Sequence, residues 1–321
     1  MYGVFCRKYI YKNEMNSKVI RSAESVLNHL SLFILRLMVL MPFFFLYAFF
    51  RAERVKRISI IEYNVWNGFE SETKRTHTFV KWARKQNADV IAFEELNNFT
   101  QTSFSKLAKS WGHPYAVIVK ENGYPVGITS RYPISNVYRL IDGMHHGCLY
   151  AEINGINFFV VHFSPFSSTK RLQEAASVIN VLRQKVKLEE KTIILGDFNA
   201  FSPKDSLFYA NSGIRDSMYM AQQKNKVLKN LNDRNQLDYQ VIRAFLQSGF
   251  YDSFSLFHKY FEESYPSKVY PGPLSDKIRI DYMMISEKLK ASCKSVEIVK
   301  DSVTDTLSDH YPVRAEFEFK K

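Results

Sequence analysis

The chain has 321 residues, of which 46% are apolar, 15% aromatic and 24% charged. This is an ordinary globular composition, with enough length for one large domain or two small ones. The three cysteines, Cys6, Cys148 and Cys293, are odd in number and widely spaced, which excludes a disulfide framework and argues against a thiolate zinc site.

The net charge of +12 is unevenly distributed along the chain. Residues 1–57 contain ten Lys or Arg and three Asp or Glu, which leaves a net charge of only +5 on residues 58–321. The basic character therefore belongs mostly to the N-terminal segment. It is a poor argument for a nucleic-acid-binding surface on the rest of the chain.

Two N-terminal segments precede the main domain. Residues 1–29 are polar, whereas residues 30–50 are apolar with a single charge, Arg36. A helix of that length crosses a hydrocarbon core of ~30 Å at about 1.5 Å per residue. The uninterrupted apolar part, residues 37–50, has the length of a signal-peptide core, but no small-x-small cleavage site follows it. We therefore expect an uncleaved membrane anchor, with secretion after signal cleavage as the alternative.

Residues 51–57 are expected to link this segment to a domain formed by residues 58–321. Apolar residues at helical spacing predict helices over 73–86, 170–186 and 237–247. Residues 203–236 are polar and lysine-rich, either a solvated helix plus loop or an excursion at the rim of a site. Short apolar runs bounded by turn residues predict strands over 58–64, 89–95, 115–119, 126–130, 148–153, 156–162, 192–197, 278–286 and 313–319.

Polar side chains follow several of these strands. In TIILGDFNA, residues 192–200, Asp197 and Asn199 lie two apart and therefore share one face of an extended chain. Oxygen ligands of this kind suit Mg²⁺ or Mn²⁺ rather than zinc, and a hard cation beside two histidines suits phosphoryl chemistry. The full set of candidates at strand ends is Asn64, Glu94, Glu95, His162, Asp197, Asn199, Asp281, Asp309 and His310.

The order of these motifs resembles the endonuclease/exonuclease/phosphatase superfamily, whose members include deoxyribonuclease I, neutral sphingomyelinases and inositol polyphosphate 5-phosphatases. The resemblance covers residues 58–319 and rests on IIEYNVW, DVIAFEEL, GITSRYPI, VVHFSP, ILGDFNA, RIDYMMIS and SDHYPV. It implies an α/β fold, a four-layer α/β sandwich in which two face-to-face mixed, mostly antiparallel sheets are flanked by helices. The predicted strands are continuous apolar runs, which is the pattern expected when both faces of a sheet are buried by other layers.

The resemblance also implies a role for each matched residue. Asn64, Glu95 and Asp309 would lie at a divalent metal, Mg²⁺ with Mn²⁺ as the alternative. Asp197 would prepare the attacking water and Asn199 would hold the phosphate. His310 would contact the scissile phosphate with Asp281 as its supporting carboxylate, and His162 would assist the leaving group.

Two further residues are candidates for substrate binding. Arg131 lies in SRYPI and His146 lies in GMHHGC, and each has an equally good structural reading as part of a polar turn. Glu94 departs from the family pattern, which usually has Gln before the metal-binding Glu. Because neighbouring strand residues face opposite ways, only one of Glu94 and Glu95 should enter the site, and position favours Glu95.

The expected function is divalent-metal-dependent hydrolysis of phosphoester bonds by a membrane-anchored, monomeric phosphodiesterase or phosphatase with its catalytic domain outside the cytoplasm. Its substrate is a lipid head group, a nucleic acid or a small phosphoester. Trp66 and His162 stand where abasic-site nucleases similar to exonuclease III usually have other residues, which disfavours DNA repair. A nuclease acting on DNA or RNA and a non-catalytic binding module on the same fold are the alternatives.

Overall fold

The computed structural model describes residues 30–31, 55–187, 189–270, 272–273 and 276–320. Leu30 and Ser31 are helical, whereas the rest of the predicted 30–50 segment lies outside the described residues, as do residues 1–29 and 51–54. Within the described part of the chain, no helix has the length and apolarity needed to cross a membrane. The compact domain spans Lys56–Phe319. Its first strand begins at Val55, so the last three residues of the predicted 51–57 linker belong to that strand.

Twelve described strands form two six-stranded sheets. The strand order is β11-β12-β1-β2-β4-β3 in the first sheet and β5-β6-β7-β8-β10-β9 in the second. The strands are β1 Val55–Asn64, β2 Val90–Glu94, β3 Tyr115–Ile118, β4 Gly127–Ser130, β5 Ile134–Leu140, β6 Cys148–Ile153, β7 Ile156–His162, β8 Thr192–Asp197, β9 Phe250–Asp252, β10 Asp281–Ser286, β11 Cys293–Ile298 and β12 Val313–Lys320.

Each sheet contains a parallel pair among antiparallel neighbours. Strand β1 runs parallel to β2, and β7 runs parallel to β8. Strand β4 is antiparallel to β2, and β10 is antiparallel to β8. The remaining described pairings, β3–β4, β5–β6, β6–β7, β9–β10 and β11–β12, are antiparallel as well. The prediction of mixed, mostly antiparallel sheets is therefore confirmed.

The two sheets pack face to face, with helices outside them. Ile60 of the first sheet and Leu195 of the second belong to one buried cluster between the sheets. Neighbouring residues point the other way: Tyr63 packs with Phe79 of an outer helix, and Ile194 packs with Val178 of another. This is the predicted four-layer sandwich. Because helices and a second sheet cover both faces of each sheet, the central strands are apolar at nearly every position.

The three helices that were predicted from apolar residues at helical spacing are present in the structure. Thr73–Gln86 has the predicted bounds, whereas the predicted 170–186 and 237–247 helices are Ser168–Lys185 and Gln240–Gln247. Outside residues 203–236, the described helices that the pattern did not predict are Gln101–Lys109 and the short segments Phe254–Phe257, Glu287–Lys290 and Thr304–Leu307. Trp66–Phe69 is a short left-handed segment that the pattern did not predict either.

Residues 203–236 form a small unit with its own apolar cluster. A 3₁₀ turn at Pro203–Asp205 leads into Ser206–Ser212 and Ile214–Lys224, and the remainder is irregular. Tyr209, Ile214 and Leu231 pack together away from the cores of the two sheets. The segment thus consists of helices plus a loop, as one of its two readings expected. Met218 and Asn230 also line the cleft described below, as expected for an excursion at the rim of a site.

Candidate active site

Polar side chains from both sheets meet at one end of the sandwich. The parallel pair β1–β2 places Asn64 beside Glu94, and the parallel pair β7–β8 places His162 beside Asp197. Strand β10 starts at Asp281, directly opposite Asp197. A cleft of about 400 Å³ opens here. The predicted site residues that line it are Glu95, His146, His162, Asp197, Asn199 and His310.

His310 and Asp281 form a buried hydrogen-bonded pair. His310 Nδ1 lies 2.9 Å from Oδ2 and 3.1 Å from Oδ1 of Asp281. Burial alone disfavours the imidazolium, but the Asp281 carboxylate outweighs it and raises the pKa of His310 well above the usual value. His310 is thus held in its charged form, with Nε2 3.9 Å from Asp197 Oδ2.

Asp197 is the centre of the arrangement. Its Oδ2 accepts a hydrogen bond from Asn64 Nδ2 at 3.3 Å and lies 3.5 Å from His162 Nε2. Its Oδ1 accepts the backbone N–H of Asn199 at 2.8 Å. Burial and then the Asp281 charge raise the pKa of Asp197 to about 8. A carboxyl group with this proton affinity suits general base chemistry near neutral pH.

Asn64 and a left-handed turn hold Glu95 in place. Asn64 Nδ2 donates to Glu95 Oε1 at 3.3 Å, and the backbone N–H of Asn67 donates to Oε2 at 2.8 Å. Asn67 belongs to a run of six residues, 66–71, whose φ angles all lie between 49° and 63°. Burial raises the pKa of Glu95. Both carboxylate oxygens are therefore fixed before any ligand arrives.

Glu94 does not enter the cleft. It is fully buried and faces Glu62 of the neighbouring strand, and no described residue other than these two donates a hydrogen bond to either carboxyl group. Burial raises the pKa of both groups, and the two interact directly. The pair therefore retains a proton inside the sandwich, and the cleft residue is Glu95, as position along the strand predicted.

Asp309 lies beside the cleft rather than in its lining. Its Oδ1 accepts a hydrogen bond from Ser308 Oγ at 3.3 Å, and burial raises its pKa. Its charge also raises the pKa of Glu95, which places the two carboxylates near each other. Asn64, which is 1% exposed, is likewise buried behind the lining residues.

These side chains fit a hard divalent cation. Asp197, Asp281 and His310 each offer a ligand atom within 4.8 Å of the others. The Glu95 carboxylate lies beside Asp197, since Asn64 Nδ2 donates to both, and the Asp309 carboxylate lies near Glu95. Carboxylate oxygens in this number suit Mg²⁺ and Mn²⁺ alike.

His162 and His146 stack on one side of the cleft. Their ring centroids are 4.0 Å apart, with 20° between the ring planes. Burial lowers the pKa of His146 to about 3 and that of His162 well below its usual value. Both rings are therefore neutral, and both line the cleft. The roles predicted for them, in leaving-group departure and in substrate binding, stay predictions.

Arg131 is not brought to the site. It follows β4, which runs antiparallel to β2, so Ser130 pairs with Val90 at the opposite end of β2 from Glu94. Its backbone N–H donates to Asp89 O at 3.0 Å, and its guanidinium donates to Asn87 Oδ1. The substrate-binding prediction for Arg131 is corrected accordingly: the residue ties a strand end to a helix end.

Several cleft residues were not predicted. They are Tyr124, Pro165, Phe166, Arg171, Phe201, Met218, Asn230, Tyr265, Ile278 and Ile280. His145, the neighbour of His146 in the GMHHGC motif, lines the cleft as well. A signal existed for Arg171, because it shares the buried stripe of its helix with Ala175 and Val178, at the spacing of apolar residues. Tyr124 and Asn230 lie in loops, where no periodic pattern of apolar residues indicates which side chains face the cleft.

The comparison with protein families shows which family the chain belongs to. Residues 61–310 match the model of the Endonuclease/Exonuclease/phosphatase family. The chain belongs to this family. The match includes every predicted site residue from Asn64 to His310, and it supports phosphoester hydrolysis as the reaction class.

Solved structures confirm the fold of this endonuclease/exonuclease/phosphatase family member. An AP endonuclease from Archaeoglobus fulgidus is similar with a TM-score of 0.63 and 19% identity, over 81% of this chain and 99% of that chain. A 3′ phosphatase from Neisseria bound to a product DNA hairpin has a TM-score of 0.60 and 21% identity, over 82% and 100% of the two chains. A 3′-5′ exonuclease from Neisseria meningitidis has the same values. The comparison with curated proteins gave no match.

Proposed function

We propose that this chain is a divalent-metal-dependent phosphodiesterase or phosphatase. The observation that carries the proposal is the position of Asp197, which lies between the charged His310–Asp281 pair and the Asn64–Glu95 pair. On one side of Asp197, the charged His310 can contact a phosphate. On the other side, Glu95 supplies carboxylate oxygens for a metal ion. An arrangement of this kind serves in-line attack of water on phosphorus.

Glu95, with Asn64 and Asp309, would hold the metal ion, which we propose to be Mg²⁺, with Mn²⁺ as the alternative. Such an ion neutralises charge on the phosphate oxygens when it is bound. Asp197 orients the attacking water and accepts its proton. Asn199 and His310 stabilise the charge that develops on the nonbridging oxygens. The neutral His162 assists the departing oxygen.

The test is hydrolysis of bis-p-nitrophenyl phosphate and p-nitrophenyl phosphate by the purified protein, with Mg²⁺, with Mn²⁺ and with EDTA. Metal-dependent release of nitrophenol is expected, and the preference between the two compounds distinguishes a diesterase from a monoesterase. Replacement of Asp197 or His310 by Ala should lower turnover by ~10²–10⁴ while the protein remains folded. Absence of hydrolysis under all conditions would instead favour a non-catalytic binding module.

A nuclease is the second candidate, and the mouth of the cleft favours it. Tyr124 and Phe166 line the cleft and are 42% and 39% exposed, and aromatic rings of this kind stack on bases of single strands. The names of the similar solved structures refer to DNA enzymes. A panel of plasmid DNA, single-stranded DNA, RNA, sphingomyelin and phosphoinositides, each with Mg²⁺ and with EDTA, separates the candidates.

We also propose that residues 30–50 anchor the protein in a membrane, with the catalytic domain outside the cytoplasm and the protein monomeric. The apolar sequence of residues 30–50, with Arg36 as its single charge, supports the anchor. Retention in the membrane pellet after an alkaline wash supports an anchor, and full release into the supernatant supports the secreted alternative.

A further inference from the structure

A second buried cation lies in the wall of the cleft. Arg171 follows the start of the helix Ser168–Lys185 and is 3% exposed. It lines the cleft together with Phe166, Asn199 and Asn230. None of the roles proposed above uses this guanidinium, although it belongs to the same concave surface as Asp197 and His310.

The guanidinium of Arg171 is only partly satisfied. Its Nη1 donates to Ser164 O at 2.9 Å and to Asn230 Oδ1 at 2.8 Å, both of which are neutral acceptors. Its Nε is buried and has no hydrogen-bond partner among the described residues. In the described part of the chain, no carboxylate oxygen lies within 4.0 Å of its nitrogens, so no ion pair neutralises its charge there.

Arg279 is another buried arginine of this chain, and it has a structural role. Its Nε donates to Asp205 Oδ2 at 2.9 Å, and its two terminal nitrogens donate to the carboxylate of Asp252 at 3.0 and 2.7 Å. Arg279 is thus neutralised from two sides. Both arginines are almost completely buried, but only Arg279 has carboxylate partners. The charge of Arg171 therefore lacks the neutralisation that the charge of Arg279 has.

An unpaired buried charge is strongly disfavoured, because desolvation is not offset by a partner. Burial lowers the pKa of Arg171 to about 10, and the more distant carboxylates of Asp238, Glu174 and Asp197 partly oppose that shift. The side chain therefore stays charged at neutral pH. A cation held in this state at the wall of a cleft is complementary to an anionic ligand group.

We propose that Arg171 forms an anion subsite that binds a second phosphate of the substrate, next to the phosphate that is hydrolysed. The inference rests on the proposed function, since it takes the reacting phosphate to lie between Asp197 and His310. Asn230 fixes the guanidinium plane from the 203–236 unit, so this subsite couples substrate choice to that unit. Substrates with two neighbouring phosphates are then preferred over those with one.

The preference is measured with matched pairs of ligands and the full-length protein in detergent. Thymidine 3′,5′-bisphosphate and thymidine 5′-phosphate compete against bis-p-nitrophenyl phosphate in one arm. Glycerophosphoinositol 4-phosphate and glycerophosphoinositol compete in the other, which represents a lipid head group. We expect the doubly phosphorylated member of at least one pair to inhibit roughly 10-fold or more strongly, and the arm that shows the preference identifies the source of the phosphate.

Arg171→Gln should reduce this ratio of inhibition constants towards one, and Arg171→Lys should retain part of it. Arg183→Gln, an exposed change on the same helix away from the cleft, should leave both the ratio and the turnover unchanged. A ratio near one for both pairs in the unmodified protein would overturn the subsite, whether or not the variants fold. The same result follows if folded Arg171→Gln keeps the full ratio. Absence of hydrolysis of bis-p-nitrophenyl phosphate by the unmodified protein would instead defeat the proposed function.

Discussion

At the scale of single residues, the His310–Asp281 pair controls the charge at the phosphate position. The hydrogen bond at 2.9 Å and the Asp281 charge raise the pKa of His310, so the imidazolium persists above the pH at which a free histidine loses its proton. A charged His310 can contact a phosphate, whereas a neutral one contributes much less. Loss of the proton from Asp197, whose pKa is about 8, should raise activity, and loss of the proton from His310 should lower it as pH rises through the raised pKa of His310.

Asp281→Asn should move that fall to lower pH, because the raising charge is lost and the pKa of His310 drops. The measurement is turnover of bis-p-nitrophenyl phosphate between about pH 5 and 9 at saturating metal. Ser264→Ala is the control, because it removes the hydroxyl that accepts the backbone N–H groups of Ile280 and Asp281 and so disturbs the position of Asp281 without changing its charge. A uniform loss of rate with an unmoved pH profile would contradict the charge role of Asp281.

The buried Glu62–Glu94 pair gives a prediction for stability. Burial raises the pKa of both groups, so the folded protein holds protons there that the unfolded chain releases above pH ~4.5. Unfolding then releases protons, and the free energy of unfolding decreases as pH rises. Glu94→Gln removes one of these groups and should stabilise the protein at pH 8, by about 1.4 kcal/mol for each pKa unit removed.

The difference should vanish towards pH 4, where both states are protonated at these positions. Urea denaturation with EDTA at about pH 4, 6 and 8 measures it, with exposed Glu189→Gln as the matched control. A constant difference between Glu94→Gln and the unmodified protein at all three pH values would show that the pair does not retain a proton.

At the scale of elements, the residues of the site were predictable because they follow strands with strong apolar runs. Asn64, His162 and Asp197 end fully buried strand segments, and a buried run with a polar end is visible in the sequence. Strands β5, β9 and β11 were not predicted, since they lie at or near sheet edges and are short or alternate in burial. The positions of Arg171 and Asn230 depend on packing between a helix and a loop.

The left-handed turn after β1 could not be predicted from the sequence, because its cause is tertiary. Gly68 has a φ of 63°, and a Cβ there would collide with the carbonyl oxygen of Asn97. The turn presents the backbone N–H of Asn67 to Glu95. Gly68→Ala should therefore displace this turn and lower activity by about 10-fold or more, which corresponds to ~1.4 kcal/mol, with a smaller effect on the metal-free fold.

Gly155→Ala is the matched control for that change. Gly155 has a φ of 73°, but a Cβ there meets nothing within 4 Å, so the variant carries the backbone strain without the collision. Activity and thermal unfolding are measured for both variants. Equal losses of activity would mean that strain alone, rather than the position of the turn beside Glu95, accounts for the effect.

At the scale of the whole molecule, residues separated by almost 250 positions converge on one end of a two-sheet sandwich. The two parallel strand pairs are responsible, because each brings two strand ends to the same edge. The family and its sandwich were predictable from the order of motifs, whereas the predicted anchor at 30–50 depends on apolarity alone and stays a prediction. The cleft shape, including Tyr124, Arg171 and Asn230, required the folded chain.

The central claim is that Glu95 and its neighbours bind a divalent ion on which hydrolysis depends. The most direct measurement is turnover of bis-p-nitrophenyl phosphate as a function of Mg²⁺ concentration for the unmodified protein, Glu95→Gln and the exposed control Glu189→Gln. EDTA should abolish turnover, and Glu95→Gln should raise the Mg²⁺ concentration at half-maximal rate by about 10-fold or more, while Glu189→Gln leaves it unchanged. Turnover that is insensitive to EDTA, or the same Mg²⁺ dependence in Glu95→Gln and the unmodified protein, would contradict the claim.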